Sequence, residues 1–289
     1  MDPIQRVGVV GCGLMGSGIA EVCARAGLDV IVREPDEKLI EAGRARVDRS
    51  LQRAQKSGKL TAEEGASAFR LIGFTTDLAE FAGCDLVVEA ILEEEAAKIE
   101  VFKQLDAIVT REDALLTSNT SSIPIMKLAI QTRRATQVCG LHFFNPVPVL
   151  DLVELVPSLM TSEETVGRLE SFASEVLGKQ TIRAKDRAGF IVNALLVPYL
   201  LSAIRMAESG FATPEHIDAG MVKGCNHPMG PLALTDLIGL DTTMAIAECL
   251  YDEFKEPQYA SPPLLSRMVE AGLLGRKSGR GFYDYSKRK

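Results

Sequence analysis

Short continuous apolar runs alternate with amphipathic stretches through the first two thirds of the chain. The runs at 6–10, 29–32, 86–90, 115–118 and 138–144 are rich in β-branched residues or Leu, and each is followed by Gly, Asn or charged residues. Strands apolar on both faces and separated by helices predict a parallel sheet covered on both sides. Between Pro35 and Phe74 the alternation breaks. Apolar Leu39, Ile40, Val47 and Leu51 recur there at helical spacing in a highly charged stretch, Ser57-Gly58 interrupts it, and Thr61-Ala62-Glu63-Glu64 carries a capping-box pattern. This predicts a helical hairpin projecting from the sheet domain, either as a solvated two-helix arm or as a basic wall for a ligand phosphate. After Lys185-Asp186-Arg187 the strand patterns vanish. Residues 189–208 predict a long apolar helix, Thr213-Pro214-Glu215 an N-cap with proline at the first helical position, and helical segments continue to about Leu274. The expected architecture is an α/β domain over 1–187 with a helical-hairpin insertion, then an all-α domain over 188–289.

A length of 289 residues accommodates one large α/β unit and a smaller partner domain. With a net charge of -7 the bulk field repels nucleic acid and anionic membrane, so neither is expected as a partner. A polyanionic coenzyme would need local positive charge, and the basic residues between Arg44 and Lys59 are the first place to look. The six cysteines are scattered, with neither a CxxC pair nor metal-ligand spacing, which suggests reduced thiols, no bound metal and a cytoplasmic location. Met1-Asp2-Pro3 leads at once into an apolar strand, leaving no room for a secretory leader, and no apolar run approaches the roughly 20 residues of a membrane helix.

Gly11-Cys12-Gly13-Leu14-Met15-Gly16 follows the first strand directly and opens a helix over 17–26. Its glycines suit a tight turn, close backbone approach to a pyrophosphate, and close helix–strand packing, while the helix start offers N–H groups and partial positive charge. The second strand ends at Glu34, about 20 residues on, where a carboxylate can bind ribose hydroxyls and repel a 2′-phosphate. Arg33 beside it works against that preference. Together these predict a Rossmann-type, doubly wound sheet domain binding NAD, with NADP as the less favoured cofactor.

Of three histidines, only His142 lies at the carboxyl end of a buried-strand pattern, the edge where open α/β sheets bind ligands. Imidazole suits removal of a hydroxyl proton. His216 falls in the first turn of a candidate helix and His227 in a Pro-flanked loop, as surface or capping residues. Pro146 and Pro148 turn the chain after His142, and an apolar strand resumes over 150–156; a reversal centred on Pro148 sets Glu154 opposite His142. A carboxylate there can fix the imidazole tautomer and stabilise the imidazolium. Ser118-Asn119-Thr120-Ser121-Ser122, just after a strand, either caps the next helix or donates to a substrate oxygen. Asn193, an amide within an apolar helical run, needs a polar partner in the protein or a ligand.

The residues Gly11 to Gly16, Ser118-Asn119-Thr120-Ser121-Ser122, His142-Phe143-Phe144-Asn145-Pro146, Gly189-Phe190-Ile191-Val192-Asn193 and His227-Pro228-Met229-Gly230-Pro231 occur in order over nearly the whole chain. In this the sequence resembles the 3-hydroxyacyl-CoA dehydrogenases, most narrowly the bacterial 3-hydroxybutyryl-CoA dehydrogenases. The resemblance implies a Rossmann-type domain joined to a helical dimerisation domain, and a homodimer. It implies His142 as general base with Glu154 as its partner, and Ser121 and Asn193 binding and polarising an acyl-CoA substrate. It implies Gly11, Gly13, Leu14, Met15, Gly16, Glu34, Glu93, Lys98, Asn119, Asn145 and Lys277 at the cofactor, and Ser50 and Lys56 at the CoA portion. Glu34 stands where many relatives carry Asp. With no hydratase domain in the chain, the monofunctional type is implied, in fatty acid metabolism. A CoA-independent hydroxyacid dehydrogenase would share the glycine turn and the helical domain, but the His142–Glu154 pairing argues against it. A non-catalytic dinucleotide sensor would need only the cofactor end.

Overall fold

The computed structural model describes residues 3–286, so Met1-Asp2 and residues 287–289 lie outside the described residues. Eight strands form one sheet: β1 Arg6–Val10, β2 Asp29–Arg33, β3 Ile72–Thr75, β4 Leu86–Glu89, β5 Leu115–Ser118, β6 Val138–Phe143, β7 Leu152–Pro157 and β8 Gln180–Arg183. Their order is β3-β2-β1-β4-β5-β6-β7-β8. Strands β1 to β6 are mutually parallel where they pair; β7 runs antiparallel to β6, and β8 parallel to β7. The strand order reverses direction at β1 and β4, the switch point at which such sheets open a ligand crevice beyond their carboxyl ends.

Helices of this first unit are α1 Leu14–Arg25, α2 Glu37–Lys56, α3 Ala62–Arg70, α4 Glu95–Ile108, α5 Ile125–Ala129 and α6 Glu163–Ser171. The capping box at Thr61 forms as its spacing requires, with Thr61 Oγ1 accepting from Glu64 N and the Glu64 carboxylate accepting from Thr61 N. The expected helical hairpin is present as α2 and α3, and it is not solvated on every side. Val47, Leu51 and Ala68 are buried in one apolar cluster with Ile19, Val22 and strand residues, because the helical stripe that spaces them closes onto α1. Its basic residues are partly engaged as well: Arg44 stacks 4.7 Å over the Phe74 ring, and Arg46 donates to the Cys12 carbonyl at 3.1 Å.

Two strands went unrecognised in the sequence. β3 is four residues long with a glycine inside it, and β8 is a half-exposed edge strand with polar Gln180 and Arg183 at its ends. The expected strand over 150–156 begins two residues later, because Pro146 to Asp151 form the turn.

The chain forms two compact units, Met1–Arg187 and Ala188–Lys289. The second unit contains α7 Val192–Glu208, α8 Pro214–Gly224, α9 Pro231–Ile238, α10 Leu240–Phe254 and α11 Pro263–Glu270, packed around Leu201, Ile204, Leu232, Ala247, Leu250 and Leu265. Helix α7 starts three residues later than the apolar pattern suggested. Gly189 and Phe190 both take positive φ, 73° and 49°, which no helix admits. No helix among the described residues is long and apolar enough to cross a membrane.

Candidate active site

The turn between β1 and α1 is built as its glycines require. Gly11 has φ 94°, and a Cβ at Gly16 would lie 1.9 Å from the Gly11 carbonyl oxygen, so neither position accepts a side chain. Gly13 is different, since a Cβ there would meet no protein atom within 4 Å. Its bareness serves no packing inside the chain, and fits a pyrophosphate lying across the start of α1. Helix α1 has no side-chain cap and no acidic residue in its first turn, so its leading N–H groups are left to an anionic ligand. Glu34, just past β2, accepts from the Cys12 backbone N–H, which holds the carboxylate against the glycine turn. Arg33 is turned aside, its Nε donating to the Thr76 carbonyl at 3.4 Å. Cys12 is buried; burial first, and then the Glu34 charge, push its thiol up to about 12, so it stays a neutral packing group.

Beyond β4 and β5 a second polar cluster forms. Glu93 accepts from Thr120 Oγ1 at 2.6 Å, Ser121 N at 2.9 Å, Ser122 N at 3.1 Å and Ser122 Oγ at 2.9 Å, with Ser121 Oγ at 3.4 Å. Burial alone would raise this carboxyl; the Lys98 ammonium and the hydrogen bonds from the serine loop outweigh it and hold the group below its ordinary value. The loop does not cap α5, one of the two roles the sequence left open. Asp186 does that, accepting from Ile125 N and Met126 N at 2.7 and 2.8 Å. Asn119 Oδ1 accepts from Phe143 N at 2.8 Å, so its amide NH2 is the part that can face a ligand.

The β6–β7 register aligns His142 with Glu154, as a reversal centred on Pro148 requires. His142 Nδ1 lies 2.7 Å from Glu154 Oε2; the imidazole is 7 % exposed and the carboxylate fully buried. The Phe144 ring meets the imidazole edge-on at 4.6 Å between centroids. A carboxylate accepting from Nδ1 fixes the imidazole tautomer that carries its proton there. Because β5 pairs with β6 with Ser118 opposite Gly140, the loop carrying Ser121 leaves the sheet beside the strand that delivers His142.

Known proteins resemble this one over nearly the whole chain. Residues 6–187 match the model of the 3-hydroxyacyl-CoA dehydrogenase NAD binding domain, and residues 189–285 that of the C-terminal domain of the same family. The chain belongs to the 3-hydroxyacyl-CoA dehydrogenase family. It is 62 % identical over 284 residues to a 3-hydroxybutyryl-CoA dehydrogenase of Mycobacterium tuberculosis, covering 98 % of this chain and 99 % of that one. The crystal structure of M. tuberculosis FadB2 superposes with a TM-score of 0.98 at 62 % identity, over 99 % of this chain and 100 % of that one. That of an (S)-3-hydroxybutyryl-CoA dehydrogenase from Ralstonia eutropha does so with a TM-score of 0.92 at 47 % identity, over 98 % and 100 %. As a 3-hydroxyacyl-CoA dehydrogenase family member the chain is an NAD-dependent oxidoreductase.

The remaining expected 3-hydroxyacyl-CoA dehydrogenase site residues lie in the turn after β6, on α2 and in the second unit. Asn145 is exposed in the turn after β6. Ser50 is half-buried on α2, and Lys56 is exposed in the last turn of α2. Asn193 is half-exposed in the first turn of α7 rather than enclosed in an apolar helix, so the burial argument that singled it out does not apply. Lys277 pairs with Asp241 at 2.6 Å within the second unit. His216 and His227 are local: the His216 backbone N–H is capped by Thr213, and His227 Nδ1 lies 3.3 Å from Tyr199 Oη. Sequence reasoning passed over Glu89, Asp186 and Lys179. Glu89 lies inside the apolar run of β4, while Asp186 and Lys179 stand among polar residues and glycine, and no spacing rule singles out any of them.

Proposed function

We propose that the chain interconverts a short-chain (S)-3-hydroxyacyl-CoA, 3-hydroxybutyryl-CoA foremost, and its 3-oxo counterpart, acetoacetyl-CoA, with His142 as general base. The observation that carries this reading is the buried His142–Glu154 pair at 2.7 Å on adjacent strands. His142 Nε2 takes the proton of the 3-hydroxyl, Glu154 stabilises the imidazolium so formed, and Ser121 donates to the substrate oxygen. NAD, when bound, supplies the hydride acceptor. Gly11, Gly13, Leu14, Met15 and Gly16 bind its pyrophosphate, Glu34 its ribose, and Glu93, Lys98, Asn119 and Asn145 border the nicotinamide. Ser50 and Lys56 are proposed for the CoA portion. Asn193 and Lys277, both in the second unit, are proposed for substrate and cofactor on the resemblance alone. The second unit is proposed as the substrate and dimerisation domain of a cytoplasmic homodimer in fatty acid metabolism.

The decisive test follows absorbance at the reduced-nicotinamide band, with acetoacetyl-CoA and NADH or NADPH, for the parent protein and His142→Ala. Turnover with NADH that falls by about 10²–10⁴-fold in the variant, at unchanged NADH affinity, is expected. A parent protein that binds NADH but turns over acetoacetate and not acetoacetyl-CoA would make it a CoA-independent dehydrogenase. Binding without any turnover would leave a nucleotide sensor.

A further inference from the structure

We infer that Glu89 is a positioning residue for the reaction, a buried carboxylate that locks the loop after β4 to the loop after β5 and so places the Ser121 hydroxyl. This rests on the reading of Ser121 as the donor to the substrate oxygen. Glu89 is the last residue of β4 and is fully buried. Its Oε1 accepts from Ile91 N at 2.7 Å and Lys98 Nζ at 2.6 Å, and its Oε2 accepts from Ser118 Oγ at 2.6 Å. Its backbone carbonyl accepts from Asn119 N at 2.8 Å. One residue therefore holds Ile91 on one loop and both Ser118 and Asn119 on the other.

The charge arrangement makes the carboxylate, and not merely its shape, matter. Lys98 is 1 % exposed and divides its ammonium between Glu89 at 2.6 Å and Glu93 at 3.3 Å. The closer pair neutralises itself, which leaves the Glu93 carboxylate to accept the donors of Thr120, Ser121 and Ser122. With a neutral residue at position 89, the enclosed ammonium has only Glu93 to pair with. It then draws that carboxylate away from the serine loop, since an unpaired buried charge is far costlier than a lost neutral hydrogen bond. Ser118 reinforces the lock: besides donating to Glu89, its Oγ accepts from Thr120 N at 3.1 Å.

The test is a double-mutant cycle on kcat/KM for acetoacetyl-CoA between Glu89→Gln and Ser121→Ala, with active sites counted by NADH binding so that lost fold is not read as lost activity. Each single variant is expected to lose about 10- to 100-fold, the range for a displaced positioning group, with the double variant no worse than the weaker single. A Glu89→Gln variant within about twofold of the parent beside a defective Ser121→Ala, or losses that simply multiply, would overturn the proposal while sparing the Ser121 reading. A fully active Ser121→Ala would sink that reading, and the proposal with it. If Glu89→Gln does not fold, Ser118→Ala, which removes one donor to the same carboxylate, takes its place in the cycle with the same outcomes.

Discussion

Replacing Glu154 by Gln removes a charge while keeping the size of the side chain and an oxygen able to accept from His142 Nδ1. The contact is 2.7 Å long between groups that are 7 % and 0 % exposed, so water screens it little. Taking the centres of the two charges as about 4 Å apart and an effective dielectric near 20, the carboxylate stabilises the charged imidazole by about 4 kcal/mol. At 1.36 kcal/mol per factor of ten this is up to about three orders of magnitude in a step whose transition state develops that charge. Solvent and neighbouring dipoles recover part of it, so kcat is expected to fall by ~10²–10³-fold. NADH affinity should change by less than about twofold, because Glu154 faces β6 and not the glycine turn. The assay is steady-state reduction of acetoacetyl-CoA, with NADH binding followed separately by fluorescence. A kcat within about threefold of the parent would refute the argument, leaving Glu154 to hold the hairpin and nothing more.

Gly13→Ala should fold normally yet weaken NADH binding by tenfold or more, on the order of 1.4 kcal/mol, because its Cβ meets no protein atom; calorimetry of unfolding and of binding separates the two effects. Gly16→Ala, whose Cβ would strike the Gly11 carbonyl, should instead lower the unfolding temperature markedly, and an unaltered melt would contradict the packing described. Glu21 is buried, and its carboxyl is raised above 4.5 by that burial, against the opposing effects of Ser50, Arg25 and Arg53. The folded state therefore holds its proton more tightly than the unfolded chain, and Glu21 lowers stability as pH rises from about 4.5 through the raised folded value. Glu21→Gln should remove this slope and match or exceed the parent's denaturant midpoint at neutral pH, whereas a variant less stable at pH 7 but not at pH 4 would reverse the sign. Lys179 donates to the Val147 and Leu150 carbonyls at 2.9 and 2.7 Å, so Lys179→Met should destabilise the turn after β6 by about 1–3 kcal/mol, read from urea unfolding.

The His142–Glu154 pair was legible because two prolines fix the centre of the reversal and both strands are apolar enough to set their register. The glycine turn was legible for a similar reason, each position being demanded by local geometry. The start of α7 was not legible, because apolar spacing cannot locate it when Gly189 and Phe190 both leave helical space. The hairpin helices looked solvated because charge dominates their composition, although four residues of α2 suffice to seal it onto its neighbour. Glu89 and Lys98 were hardest. They face each other across a strand end and a helix nine positions apart, and only the packing of α4 against the sheet makes an ion pair of them.

The His142–Glu154 pair sits on a single rung of one antiparallel ladder. Its spacing is set by main-chain hydrogen bonds and owes nothing to a bound ligand or a moving segment. The amide protons of β6 and β7 should therefore be among the slowest of the first unit to exchange with deuterium, whether or not NAD and substrate are present. In a denaturant series, turnover at saturating ligands should disappear no later than the protection of these amides, because the pair cannot outlast its strands.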